Sequence, residues 1–148
     1  MKFSDFIKPN SIFVDVVVDS KKNLFKKVSS IASGNDNEKS SIIVEKLNER
    51  ERLGSTGVGN GVAIPHSKVS WIQKTTVLFL KLKSTINFSS ADNKEVDLVF
   101  VILAPKNCQS EHLLVLSSIS SFLRDKKVVK KLRELRKPDE ILNFFSGF

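Results

Sequence analysis

The residues best suited to chemistry in this 148-residue chain crowd between Arg50 and Ser67, in the segment RERLGSTGVGNGVAIPHS. Gly54, Gly57, Gly59 and Gly61 fall within eight positions of it. Glycine at that density lets a backbone take positive φ and turn its N–H groups toward one point, which makes a concave anion site. A plain flexible loop fits the same composition. The common nucleotide routes are excluded: GVGNGV is spaced G-x-G-x-G rather than G-x-G-x-x-G, no Gly-Lys-Ser/Thr follows, and Pro65 comes where a nucleotide-binding helix would run. Val62-Ala63-Ile64 reads instead as a short apolar strand running into Pro65-His66. Proline fixes its own φ, lacks an N–H and holds the residue before it extended, so the imidazole stands on a stiff strand end. A neutral imidazole is nucleophilic near pH 7.

Most lone histidines are structural, and the chain has only two, His66 and His112. Two are too few for a zinc site without carboxylates or the single cysteine, Cys108, and no HExxH or CxxC pattern is present. No metal and no cofactor are expected. Cys108 reads as a bystander.

Elements that would position these residues alternate between strand and helix. Val-rich Ile12 to Val18 reads as a buried strand, and Asp19 or Ser20 can cap a helix carrying Leu24, Phe25, Val28 and Ile31, which Gly34 ends. After a turn at Asn35-Asp36-Asn37, a second helix spans about Glu38 to Arg52 with Ile42, Ile43, Val44 and Leu47 as its apolar stripe. Thr76 to Lys83 alternates as a half-buried strand does, whereas Val96 to Leu103 is a continuous apolar run suited to a central strand. Glu111 to Leu123 then reads as a helix, followed by a basic one and by a short helix opened by Pro138. The fold class expected is α/β, a single domain over residues 1–148 with a mixed β-sheet flanked by helices.

A chain of this length buries roughly 70% of its unfolded surface and needs no disulfide or metal to fold. One cysteine and the lack of a signal-like or membrane-length apolar run near the N-terminus point to a reducing cytoplasm, with no membrane insertion. Lys and Arg exceed Asp and Glu by 24 to 16, a net charge of +8. Much of that excess lies from Arg124 to Lys137, where Leu123, Val128, Leu132 and Leu135 recur at helical spacing. The stretch reads as the wet face of an amphipathic helix, with an anion-binding surface as the other option. No recognition helix or stacking platform accompanies it, so specific nucleic-acid binding is not expected.

Leu53-Gly54-Ser55-Thr56-Gly57 followed by Gly59-Asn60-Gly61-Val62-Ala63-Ile64-Pro65-His66 resembles the phosphohistidine signature of the mannitol/fructose-class enzyme IIA of the bacterial phosphotransferase system. Arg50-Glu51, Glu95 to Phe100 running into Leu103-Ala104-Pro105, and His112-Leu113 with Leu116, Ser117 and Ile119 are similar too, so the resemblance spans nearly the whole chain. The Gly-Asn-Gly form and the absence of fused transporter domains are nearest the nitrogen-type regulatory members. The resemblance implies that His66 takes a phosphoryl group from an HPr-like phosphocarrier, with His112 and Arg50 beside it. It also implies either regulatory target proteins or a IIB protein downstream. Ser55, Thr56, Gly59, Gly61 and Ser67 are then candidates to bind phosphoryl oxygens through hydroxyls or backbone N–H groups. Ser67 stands where most relatives carry glycine or another very small residue, and a chain this basic implies an acidic donor. An exposed helix-end cation at Arg50 and a partly buried helix residue at His112 are the ordinary readings of those two.

Overall fold

A computed structural model describes residues 2–148. Two 3-10 turns, Phe3–Phe6 and Pro9–Ser11, lead into β1 (Ile12–Val16), α1 (Lys21–Ala32) and α2 (Asn37–Arg52). Three short strands follow, β2 (Gly57–Gly59), β3 (Val62–Ala63) and β4 (His66–Lys68), then the long β5 (Thr76–Ile86) and β6 (Val96–Ala104). Helices α3 (Gln109–Phe122), α4 (Lys126–Glu134) and α5 (Pro138–Ser146) come last.

The strands form one mixed sheet in the order β1-β5-β6-β3-β2, with β4 also on β6. Strands β5 and β6 pair antiparallel, while β1 runs parallel to β5 and both β3 and β4 run parallel to β6. Helices cover both faces, which is the α/β arrangement expected. Alternate residues of a strand point to opposite faces. Leu98, Phe100 and Ile102 of β6 therefore meet Val115, Ile119 and Phe145 on one side, and Val99, Val101 and Leu103 meet Leu24, Phe25, Ile43 and Leu47 on the other. Phe3, Phe79, Phe100, Phe122 and Phe145 pack ring to ring, their paired centroids 4.8 to 6.0 Å apart, mostly edge to face or tilted, as the ring quadrupoles prefer.

Three elements differ from the sequence reading. Strand β5 extends to Ile86, and Val77 to Leu80 are buried without a break, because β5 lies between β1 and β6 under helices on both sides. The alternation seen in sequence holds only beyond that run. Strand β1 stops at Val16 and forms the sheet edge, with a register irregularity around Asp15 (φ 52°) and Val17 left 73% exposed. The basic helix is shorter than its hydrophobic period: Asp125 caps it, Leu135 leaves it in an extended conformation, and Leu123 belongs to the end of α3.

Strand β3, Pro65 and β4 behave as one interrupted strand on β6. Ala63 lies opposite Val99 and His66 opposite Ile102, so the register is the same on both sides of the proline. The hairpin before it is closed by Asn60 (φ 57°) and Gly61 (φ 78°), left-handed positions that Asn and Gly occupy readily. It is clasped by the β5–β6 connection: Ser55 donates its hydroxyl to the Phe88 carbonyl at 2.9 Å, and Asn60 N–H reaches Asp92 at 3.1 Å. A Cβ on Gly57 would fall 2.0 Å from the Ser90 hydroxyl oxygen and 2.9 Å from its Cβ. Overpacking of this kind costs about 1–3 kcal/mol. Gly57→Ala should therefore lower unfolding stability by about that amount in a urea titration, and adding Ser90→Gly should restore most of it; a neutral Gly57→Ala would mean the clasp is loose.

Candidate functional site

His66 opens β4 where the interrupted strand resumes, Arg50 lies in the last turn of α2, and His112 sits on the first turns of α3. These three elements meet at the edge of β6. The His66 ring nitrogen Nδ1 lies 2.8 Å from the Ile64 carbonyl, and Nε2 lies 3.3 Å from Arg50 Nε. A carbonyl can only accept and a guanidinium can only donate. Nδ1 therefore carries the proton, and Nε2 holds its lone pair toward Arg50. Arg50 Nη1 also donates to the Gly54 carbonyl at 2.8 Å, which fixes the guanidinium.

The His112 ring stands 5.3 Å from that of His66, centroid to centroid, tilted by 54°. His112 is 6% exposed, and its Nδ1 is buried without a hydrogen-bond partner. Burial, then the neighbouring His66 and Lys68, pull its pKa down to about 4. His66 is lowered as well, first by burial and further by the Arg50 charge, although its bond to Ile64 and the nearby Glu51 pull the other way. Both rings are neutral at pH 7, the state in which Nε2 of His66 is a nucleophile.

Around the rings is an open depression of 490 Å³ that also takes in Ser67, Lys46, Lys68 and Lys106, with Glu49 the one acid on its rim. The Ser67 hydroxyl has only a long 3.5 Å contact to the Lys68 carbonyl and is available to a ligand. The other sequence candidates are placed differently. Thr56 is buried with its hydroxyl and N–H on Glu51, and the Ser55 hydroxyl is spent on Phe88. Gly59 faces Asp92, and Gly61 lies against Arg133 and Asp97. Gly59 lines a separate cavity of 220 Å³ with Ile64, Leu123 and Val129. These four residues shape the hairpin and do not face the imidazoles. The three lysines went unnoticed in the sequence. Lys46 is one turn before Arg50 on α2 and Lys68 two residues beyond His66 on a strand, spacings that put each on the functional face; Lys106, just past β6, has no such signal. Among the described residues, no three His, Cys, Asp or Glu side chains come together to hold a metal, and no helix is long and apolar enough to cross a membrane.

The chain belongs to the phosphoenolpyruvate-dependent sugar phosphotransferase system EIIA 2 family, whose model matches residues 5–147. It is 39% identical over 136 residues to the nitrogen regulatory protein of Bradyrhizobium diazoefficiens, covering 92% of this chain and 89% of the relative. The crystal structure of the nitrogen regulatory protein IIA-Ntr from Neisseria meningitidis superposes with a TM-score of 0.90 at 31% identity, covering 96% of this chain and 97% of that one. Mannitol enzyme IIA, in its complex with phosphorylated mannitol enzyme IIB from Escherichia coli, shares the fold with a TM-score of 0.77 at 23% identity, covering 96% of this chain and 99% of that one.

The depressed His112 gives a stability prediction with a definite sign. An unfolded histidine takes its proton near pH 6.5, whereas folded His112 resists until about pH 4. Below about pH 6.5 the unfolded state binds more protons, so stability is full above that pH and falls as pH drops toward 4. Urea midpoints measured from pH 7.5 to 4 should fall, and His112→Gln should flatten that fall; a curve that the substitution leaves unchanged would assign the acid loss to other groups.

Proposed function

We propose that this chain is a cytoplasmic phosphocarrier, a single enzyme IIA domain that accepts a phosphoryl group on His66 from an HPr-like phosphohistidine protein and acts in regulation. The observation that carries the reading is the pairing at one imidazole: Nδ1 held by the Ile64 carbonyl at 2.8 Å and Nε2 facing Arg50 at 3.3 Å. That arrangement offers a single lone pair, beside a fixed cation, to an incoming electrophile.

The transfer balances without a cofactor. Nε2 of His66 attacks phosphorus, the donor's P–N bond breaks, and its electron pair returns to the donor imidazole. Positive charge that builds on the His66 ring is shared with the Ile64 carbonyl through Nδ1–H. Phosphoryl transfer of this kind needs little more than positioning and charge stabilisation. Arg50 exchanges its contact with Nε2 for phosphoryl oxygens, which a guanidinium can bind two at a time. His112 and the Ser67 hydroxyl supply further donors from the lining of the depression, and Lys46, Lys68 and Lys106 offset the dianion. Ser55, Thr56, Gly59 and Gly61 contribute by holding the hairpin rather than by touching phosphate.

A regulatory role is favoured because relatives described as nitrogen regulatory proteins share 33–39% of residues with the chain over 82–98% of its length, whereas the mannitol enzyme IIA shares 23%. A sugar-specific enzyme IIA that hands its phosphoryl group to a IIB protein is the second reading, favoured by the fold shared with the IIA–IIB complex. Incubation with a phosphorylated HPr-type carrier should give one acid-labile, alkali-stable phosphate that His66→Ala abolishes. An acid-stable phosphate on Ser55, Thr56 or Ser67 would remove His66 from the reaction.

The neighbours of His66 should differ from it in kind. A charge-assisted hydrogen bond contributes about 1.5–3 kcal/mol, and each 1.4 kcal/mol is about tenfold in rate. Arg50→Ala and His112→Ala should slow phosphorylation roughly ten- to a hundredfold and still reach the same adduct at long times. Rapid-quench time courses on folded variants decide this; an inert His112→Ala beside an active His66→Ala would reverse the assignment.

A further inference from the structure

Glu51 is the acid that sequence reasoning passed over except as the neighbour of Arg50. Its carboxylate is 8% exposed and fully engaged: Oε2 accepts from Lys21 Nζ at 2.8 Å and from Thr56 N–H at 3.0 Å, and Oε1 accepts from the Thr56 hydroxyl at 2.6 Å. A carboxylate this buried is retained at a cost in desolvation unless every lone pair is used. Lys21 is in turn placed by the Phe88 ring, 4.5 Å below its Nζ.

Following the hydrogen bonds outward from Glu51 leads to both nitrogens of the His66 ring. On one path, Thr56 is held by the carboxylate, its carbonyl accepts from Ile64 N–H at 2.9 Å, and the Ile64 carbonyl takes His66 Nδ1–H at 2.8 Å. On the other, the last turn of α2 carries Arg50 next to Glu51, with Gly54 N–H on the Glu51 carbonyl at 3.2 Å and the Gly54 carbonyl on Arg50 Nη1. The segment 54–56 is thus pinned at Gly54 by the Glu51 main chain and at Thr56 by the Glu51 carboxylate. It joins the helix that supplies the guanidinium to the strand that supplies the imidazole.

We infer that Glu51 is a positioning residue, whose carboxylate sets the placement of Arg50 against Nε2 of His66 and keeps the proton on Nδ1. It touches neither the imidazole nor the space a phosphoryl group would enter. Its effect passes through Arg50 and through the Thr56–Ile64 path, and the inference rests on the phosphocarrier reading only for its kinetic part. Losing the negative charge with little change of shape frees the 54–56 segment, so Arg50 Nε drifts from Nε2 and the ring samples both tautomers.

Two measurements test this. The ring 15N spectrum of His66 in unphosphorylated protein needs no donor, so it stands even if the phosphocarrier reading fails. The wild type should show a predominantly Nδ1-protonated ring, and Glu51→Gln should move both nitrogens toward averaged shifts; an unchanged spectrum overturns the inference. The second is a double-mutant cycle on the rate of phosphoryl uptake from a phosphorylated HPr-type carrier. Glu51→Gln should slow uptake about tenfold in the wild-type background with KM for the carrier unchanged, and less than about threefold when Arg50 is already alanine. Equal slowing in both backgrounds would mean a general structural loss and defeat the claim. Should Glu51→Gln fail to fold, Thr56→Val removes one of the same bonds almost isosterically, and is judged by the same spectrum and the same cycle. A wild type that takes up no phosphate would sink the phosphocarrier reading while the spectrum still decides the role of Glu51.

Discussion

Everything at this site depends on a backbone carbonyl that has been released from its sheet. In a regular parallel ladder the strand beside β6 would spend its carbonyls on neighbouring N–H groups. Here Pro65 interrupts the run, its own carbonyl still takes Ile102 N–H at 3.0 Å, and the Ile64 carbonyl is left to accept from the His66 ring. That carbonyl fixes the tautomer and aims the ring, with the Nε2 lone pair turned to Arg50 Nε at 3.3 Å. The strand keeps its register through the break, so the imidazole inherits the rigidity of β6, which is buried on both faces. A loop-borne histidine would have had to lose that freedom at each encounter.

The charges around the ring form a second constraint. Lys46, Arg50, Lys68 and Lys106 face one acid, Glu49, across the depression. In the resting protein burial above all, with Arg50 beside His66 and Lys68 beside His112, disfavours a proton on either ring. An arriving dianion reverses the balance, because the same cations then have a counter-charge. The site is thus poised for a negative group on Nε2 rather than for a proton there. Buried and unpartnered, Nδ1 of His112 is the remaining local expense.

Much of this was legible in the sequence, and the reasons are specific. Pro65-His66 behind a short apolar run is a local signal, as are the continuous run of β6 and the cap at Ser20, whose side chain accepts from Asn23 N–H. The double burial of β5 and the exposure of β1 were not legible, since both follow from strand order and strand order is not written locally. The same holds for the hydroxyls of Ser55 and Thr56. Their spacing from His66 fits a phosphate cradle, but partners at Phe88 and Glu51 had already taken them. Polar side chains advertise capacity in a sequence, and only packing tells whether that capacity has been used.

The basic surplus is divided on the same principle. Arg124 to Lys137 carries much of the positive charge, yet none of its residues lines the depression around His66. Part of it is architectural. Arg133 binds Asp97 at 2.8 Å and the Asn60 carbonyl at 2.6 Å, tying α4 to the hairpin that precedes the site. Lys81 of β5 donates into the Arg133 and Leu135 carbonyls at 2.7 and 2.6 Å, where the end of α4 leaves them unpaired and the helix dipole favours a cation. Lys126, Lys127, Lys130 and Lys131 stay on the outer face, repeating at helical i,i+4 spacing where like charges repel. Positive charge in this chain therefore gathers in two separate places, behind the glycine hairpin and around His66 in front. The charges that act on the His66 ring are Arg50 and, in the opposite sense, Glu51, so the net charge of the chain says little about how strongly that site attracts an anion.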